Sequence, residues 1–174
     1  MIKFFFKKEN FIKYTPFYLT ILLLFISSTI FPPQGYAMTF SFIPLICILF
    51  WCLVLGRLFG PVQFFFVGII TDFLMGTPIG SYLFLFSLIR YFTLKVREKF
   101  NIKLFYENIL AATFLIILFY FLNNLFLLIY YSKIIVSEFF ILNIISTIFL
   151  YPAIAVFFYW VYKITSLEKY YVEA

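Results

Sequence analysis

Long apolar runs, separated by short breaks that contain polar residues, proline or glycine, dominate the pattern of this chain. About 20 residues in a helix span the hydrocarbon core of a bilayer, so runs of this kind predict membrane helices. The third and fourth runs are short for that purpose. Six helices are predicted in total, over residues 14–31, 38–55, 62–75, 79–94, 109–130 and 139–162.

Two of the breaks define how the runs are connected. Gly76-Thr-Pro-Ile-Gly80 separates the third run from the fourth, and glycine and proline there predict a tight hairpin with little loop in water. The first run ends at Pro32-Pro33 without a small-residue cleavage site, and apolar sequence resumes almost at once. The first run therefore reads as a retained membrane helix and not as a signal peptide.

Composition excludes a soluble domain. Of 174 residues, 66% are hydrophobic and 11% charged, whereas soluble domains have about 45–50% apolar and about 25% charged residues. The chain has no His. Cys47 and Cys52 point apart on a helix, so neither a disulfide nor a metal site is predicted, and both read as membrane-facing hydrophobes. No cofactor is expected.

The distribution of basic residues predicts the orientation. With six spans and a cytoplasmic N-terminus, eleven basic residues lie on the cytoplasmic side and only Lys133 lies outside, with Arg90 set aside within a run. The net charge of +6 then reflects topology and contact with anionic lipid, and not nucleic-acid binding. The cytoplasmic basic residues are Lys3, Lys7, Lys8, Lys13, Arg57, Lys95, Arg97, Lys99, Lys103, Lys163 and Lys169.

These patterns predict an all-α polytopic membrane protein, a compact bundle of six transmembrane helices with both termini in the cytoplasm. Residues 1–13 form a basic cytoplasmic N-terminus, residues 14–163 the single integral membrane domain, and residues 164–174 a cytoplasmic tail. The expected location is a cytoplasmic membrane that the chain crosses several times.

Asp72 is the most informative single residue, because a carboxylate at membrane depth costs about 2.5–3.5 kcal/mol on insertion scales. It lies roughly 6 Å, about one helical turn, from the predicted outer end of the third helix. Two roles are open: holding or capping neighbouring helices, and contacting a ligand or partner. A proton relay is disfavoured because the runs contain no His and no second acid to receive the proton.

Arg90 is the obvious counter-ion for Asp72, but depth argues against the pair. Arg90 lies roughly 15 Å from the outer surface along the fourth helix, and snorkelling toward the inner headgroups is the easier option. A direct pair stays open at this point. Arg57, at the opposite end of the third run, is a poorer partner still.

Small residues surround the acid. Gly68, Asp72 and Gly76 fall on one helix face, which predicts close helix packing or a binding groove. Gly76 and Gly80 also flank Pro78 in the hairpin. In the second run, Pro44 is expected to kink the helix and Trp51 to lie at the membrane interface.

No catalytic set can be assembled from these residues. The chain lacks a Ser/His/Asp arrangement, paired carboxylates and a phosphate-cradling loop, so we expect no enzyme. A transporter subunit, an assembly partner and a small-molecule binder remain open.

One stretch carries a resemblance to a known family. It includes Phe42-Ile-Pro-Leu45, Trp51, the break at Gly60-Pro61, and the segment GIITDFLMGTPIGSYLFLF that leads into Arg90-Tyr91. In these features the chain resembles the bacterial rod shape-determining MreD family. Five positions match that family's pattern in place, namely Gly68, Asp72, Gly76, Pro78 and Gly80.

The resemblance implies a non-enzymatic subunit of the cell-elongation (rod) complex in the bacterial inner membrane, one that helps to organise peptidoglycan synthesis and cell shape. Such proteins bind MreC, which has a single membrane helix, and act with MreB and wall-synthesis enzymes. The basic inner loops would be available to MreB or to anionic lipid.

The alternative is the substrate-binding subunit of an energy-coupling-factor vitamin transporter, which is also a small six-helix protein. Such subunits dock their partner through small residues spaced four apart in the first helix, whereas this chain has YLTILLLFISSTI there. A vitamin site also needs several convergent polar groups, and Asp72, Asn123 and Asn124 are few for that purpose.

Overall fold

The computed structural model describes residues 8–30, 43–56, 60–99, 105–131 and 138–165. These residues form six helices and no strand, one helix in each predicted run, so the all-α prediction is confirmed. The helices are α1 (Lys8–Ile30), α2 (Ile43–Leu55), α3 (Pro61–Met75), α4 (Ser81–Lys99), α5 (Phe105–Tyr131) and α6 (Glu138–Ile164).

The helices differ in length, and this bears on how many cross a membrane. Within the described residues, two apolar segments are long enough to cross, Tyr106–Phe126 in α5 and Phe140–Ile164 in α6. The apolar parts of α1, α2 and α3 are shorter. The 13 residues of α2 extend about 20 Å, against roughly 30 Å of hydrocarbon. Six helices are therefore established, whereas clear spanning length is established for two.

The centre of the bundle is α2, which contacts α1, α4, α5 and α6. Its side chains are buried continuously from residue 44 to residue 53. No polar or charged side chain other than the two thiols interrupts the helix IPLICILFWCLVL, and a helix that is apolar on every side is suited to complete burial.

Burial of α2 corrects three expectations. Trp51, expected at the membrane interface, is 0% exposed and packs against the rings of Phe50 and Phe158 with centroids 5.1 Å away. Cys47 and Cys52, expected to face lipid, are buried free thiols. The expectations were wrong because a helix without a polar face carries no sequence signal of which side meets lipid.

Pro44 also departs from its expected role. It is the second residue of α2 and is buried. At the start of a helix the missing N–H breaks no helical hydrogen bond, so Pro44 begins the helix and does not kink it.

Polar contacts join α5 and α6 at two levels. The Tyr120 hydroxyl lies 2.9 Å from Thr147 Oγ1 and donates to the Asn143 carbonyl at 3.2 Å. Toward the other end, the Tyr151 hydroxyl donates to Asn108 Oδ1 at 2.6 Å. These bonds satisfy polar groups that would be costly to leave unpaired inside an apolar bundle.

At the edge of the bundle, α3 packs mainly on α4 and also on α1. Its buried face contains Phe64, Val67, Gly68, Thr71 and Asp72. Its outward face is apolar and aromatic. The exposed large side chains of α3 are Val62, Phe65, Phe66 and Phe73.

Candidate functional site

The candidate site is the hairpin between α3 and α4, which folds around Asp72. Helix α3 ends because Gly76 adopts a left-handed conformation with φ +64°, which glycine adopts without strain. The Gly76 N–H donates to the backbone carbonyl of Asp72, and the Thr77 N–H donates to the same oxygen at 3.1 Å. The backbone of Asp72 therefore fixes the end of α3.

The side chain of Asp72 is 0% exposed and accepts four hydrogen bonds from the hairpin. Oδ1 accepts from the Thr77 hydroxyl at 2.9 Å, the Ser81 hydroxyl at 2.7 Å and the Tyr82 N–H at 2.9 Å. Oδ2 accepts from the Gly80 N–H at 2.7 Å. Oδ1 therefore accepts three hydrogen bonds and Oδ2 accepts one, all from this turn.

Two of these four donors are backbone N–H groups at the beginning of α4. The first N–H groups of a helix have no partner within the helix, and Asp72 supplies one for Gly80 and for Tyr82. The negative charge also lies at the positive end of the α4 dipole. Asp72 therefore caps α4 from the preceding helix, which accounts for a buried acid without a cationic partner.

The remaining turn residues complete the cap. Gly80 has φ +103°, a value that L side chains rarely adopt. The half-buried Pro78 contributes its carbonyl, which accepts the Ser81 N–H at 3.1 Å. The Phe84 N–H then donates to the Gly80 carbonyl at 2.9 Å, which begins the regular bonding of α4.

Gly68 has a different role from the hairpin glycines. A Cβ at Gly68 would lie 2.7 Å from the Cα of Leu83, whereas a Cβ at Gly76 or Gly80 would meet nothing within 4 Å. Gly68 thus marks the close approach of the α3 and α4 backbones. Of the glycines around Asp72, the packing contact belongs to Gly68, and Gly76 and Gly80 provide turn conformations.

Arg90 lies apart from Asp72. Its guanidinium Cζ is 5.2 Å from the ring centroid of Phe64, and its Nε is buried without a hydrogen-bond partner. Arg90 follows Ser81 by nine residues, about 14 Å along the helix. No ion pair joins these two described residues, as the depth estimate from the sequence indicated.

The other predicted positions do not contribute to the Asp72 network. Pro44 and Trp51 are buried in α2, and neither donates to the carboxylate. Arg57 lies outside the described residues.

Three residues of the network were not singled out from the sequence. Thr77 and Ser81 each donate a hydroxyl to Asp72, and Tyr82 donates its backbone N–H. The sequence signal that could have indicated the two hydroxyl donors is their position on either side of the Pro-Ile-Gly turn that follows the acid. Hydroxyl residues at such positions commonly bond to nearby turn groups.

One comparison with known proteins gives a match that covers most of the chain. The family described as rod shape-determining protein MreD matches residues 8–161 of the 174-residue chain. Neither a curated protein nor a solved structure gives a match. The matched region begins in α1, ends within α6 and includes the Asp72 hairpin. The chain belongs to the rod shape-determining MreD family.

Proposed function

We propose that this protein is a non-enzymatic membrane subunit of the bacterial rod complex, which binds MreC and helps to organise peptidoglycan synthesis. The observation that carries this proposal is the family match across residues 8–161. Family membership supports the general role, because MreD proteins are shape-determining proteins of bacterial membranes and are not a known enzyme family.

The proposed arrangement places all six helices across the inner membrane with both termini in the cytoplasm. Eleven basic residues against one support this orientation. The short helices α2 and α3 can be accommodated because α2 lies inside the bundle and local thinning of the bilayer costs only fractions of a kcal/mol per ångström, roughly.

The proposed docking surface for MreC is the outward face of α3. Three observations support it: α3 lies at the edge of the bundle, its outward face is aromatic, and two features hold it on α4. These features are the Gly68–Leu83 contact and the Asp72 cap. Asp72 would then act by holding α3 in place, because it accepts four hydrogen bonds within the hairpin.

The cytoplasmic basic segments are the proposed contacts for MreB or for anionic lipid. Arg97 and Lys99 lie in the last turn of α4. Wall-synthesis enzymes would be reached through MreC.

Affinity capture from native membranes tests the proposal. We expect the tagged protein to recover a single-span MreC-like partner. Recovery of an ATPase with its coupling protein, and no MreC-like protein, would contradict the proposal and favour the vitamin-transporter alternative.

The exposed face of α1 supports the rod-complex function over that alternative. Large side chains recur along it at spacings of four, namely Tyr14, Tyr18, Leu22 and Ile26, and all are exposed. Docking through a stripe of small residues requires close approach of two backbones, which these side chains would prevent.

A further inference from the structure

Arg90 is a half-buried cation that forms no ion pair with an acid among the residues that the structure describes. It lies near the middle of α4, between the apolar beginning of the helix and its basic last turn. Its side chain is half-buried, and Nε is covered but makes no hydrogen bond. A cation at this depth requires a counter-ion or a route to water.

The acids with described side chains do not supply that counter-ion. Asp72 accepts four hydrogen bonds within its hairpin, which lies at the far end of α4 from Arg90. Glu98 is exposed and lies about 12 Å further along the helix. Glu107 is in the first turn of α5 and forms no ion pair with Arg90.

The Arg90 guanidinium lies close to the beginning of α3. Phe64, whose ring it overlies at 5.2 Å, is three residues into α3, about 5 Å from the beginning of that helix. Arg97, on the same helix, lies against Gly56 at the end of α2. Arg97 follows Arg90 by seven residues, which is two helical turns, so the two side chains leave α4 on the same face.

We propose that Arg90 binds the phosphate group of a membrane phospholipid at the basic end of α3 and α4. A guanidinium presents a planar fork of donors that matches phosphate oxygens. The Phe64 ring holds this fork in place through a cation–π contact. The positive end of the α3 dipole lies about one turn away and favours the same negative charge.

Depth favours a lipid phosphate over an acid from a partner helix. Arg97, in the basic last turn of α4, follows Arg90 by seven residues, about 10 Å along the helix, so the long Arg90 side chain is within reach of the headgroup layer that this turn marks. A phosphate is already present at that level. A carboxylate would be present at that level only when a partner helix is bound. The site does not depend on MreC binding.

Native mass spectrometry of the purified full-length protein, titrated with phosphatidylglycerol, tests the site. We expect one tightly retained lipid, and an affinity about tenfold or more weaker in Arg90→Gln, as for the loss of a charge-assisted hydrogen bond. Arg90→Lys keeps the charge without the fork, so we expect its lipid affinity to be intermediate. This variant also tests the site if Arg90→Gln folds poorly.

Lys95→Gln is the matched control, because it removes one positive charge from the exposed face of the same helix. Its affinity should stay within about twofold of wild type, as exposed charges contribute little. Diacylglycerol with the same acyl chains should not be retained, and inorganic phosphate should not displace the lipid.

Four results would overturn the proposal. They are unchanged phosphatidylglycerol affinity in Arg90→Gln and Arg90→Lys, an equal loss in Lys95→Gln, equal retention of diacylglycerol, and displacement by inorganic phosphate, which would assign the site to a free anion. Loss of MreC capture in Arg90→Gln with unchanged lipid binding would also overturn it, in favour of a partner carboxylate.

Discussion

Asp72 is stabilised by hydrogen bonds from residues that are close to it in the sequence. Its carboxylate accepts from two backbone N–H groups and two hydroxyls, all between Thr77 and Tyr82. Charge-assisted hydrogen bonds are stronger than neutral ones, and stronger again away from water. The acid therefore connects the end of α3 to the beginning of α4 and needs no ion pair.

Substitution of Asp72 should show that acceptor geometry matters more than charge. Asp72→Asn can keep an oxygen where Oδ1 accepts three of the four bonds, whereas Asp72→Ala leaves the Gly80 and Tyr82 N–H groups without an acceptor. We expect the free energy of unfolding to fall by about 1–2 kcal/mol for Asn and by about 3 kcal/mol or more for Ala. Thermal unfolding of the purified variants in detergent measures this order.

Complementation of cell shape should follow the same order. Asp72→Asn should retain most of the activity that Asp72→Ala loses. Equal loss in the two variants would show that the negative charge itself is required. Thr77→Val is the graded control, since it removes a single hydroxyl donor and should cost about 1 kcal/mol.

At the level of elements, α3 is fixed to α4 at two points. One is the hydrogen-bonded hairpin, and the other is the backbone contact at Gly68, where a Cβ would lie 2.7 Å from Leu83 Cα. Because membrane helices gain little from hydrophobic burial against one another, close packing of this kind supplies much of their association.

Gly68→Ala should separate α3 from α4, because backbone atoms cannot move aside as a flexible side chain can. Overpacking of this kind costs about 1–3 kcal/mol, which thermal unfolding would detect. Gly60→Ala is the matched control, since Gly60 has an ordinary φ of −74° and no atom within 4 Å of an added Cβ. Equal stability of the two variants would contradict a close contact at Gly68.

The central position of α2 predicts unequal losses of stability when the two tryptophans are replaced by alanine. Trp51 is 0% exposed and Trp160 is 61% exposed. Trp51→Ala should lower the free energy of unfolding by about 3 kcal/mol or more, because it leaves a large cavity. Trp160→Ala should change it by about 1 kcal/mol or less. Similar losses in the two variants would show that α2 is not the core helix.

The sequence predicted the helices and the hairpin better than the faces of the helices. Gly76, Pro78 and Gly80 stop one helix and start the next through backbone properties that are local, so the turn was predictable. The position of Trp51 depends on which neighbours surround α2, and an all-apolar segment contains no polar residue to indicate it. The Asp72 donors required the geometry of the turn, because Thr77 and Ser81 are ordinary turn residues when read alone.

For the whole molecule, the orientation in the membrane rests on the distribution of basic residues, while helix length alone supports two spans. Labelling with a membrane-impermeant maleimide in intact cells tests both the orientation and the number of spans. A cysteine at Ser132, between α5 and α6, should react, and one at Asn101, between α4 and α5, should react only after the membrane is opened.

The native thiols are a favourable background for this experiment, because Cys47 and Cys52 are buried. The unmodified protein should therefore remain unlabelled. Labelling of the Asn101→Cys variant in intact cells would reverse the proposed orientation, and labelling of both positions would contradict six spans.

We propose that the Asp72 hairpin and the Gly68 contact hold α3 in place so that MreC can dock. Co-purification of MreC with wild type, Gly68→Leu, Asp72→Leu and the control Gly60→Leu, at matched expression, tests this proposal. We predict that wild type and Gly60→Leu capture MreC, and that Gly68→Leu and Asp72→Leu capture much less. Undiminished capture by both Gly68→Leu and Asp72→Leu would contradict the claim.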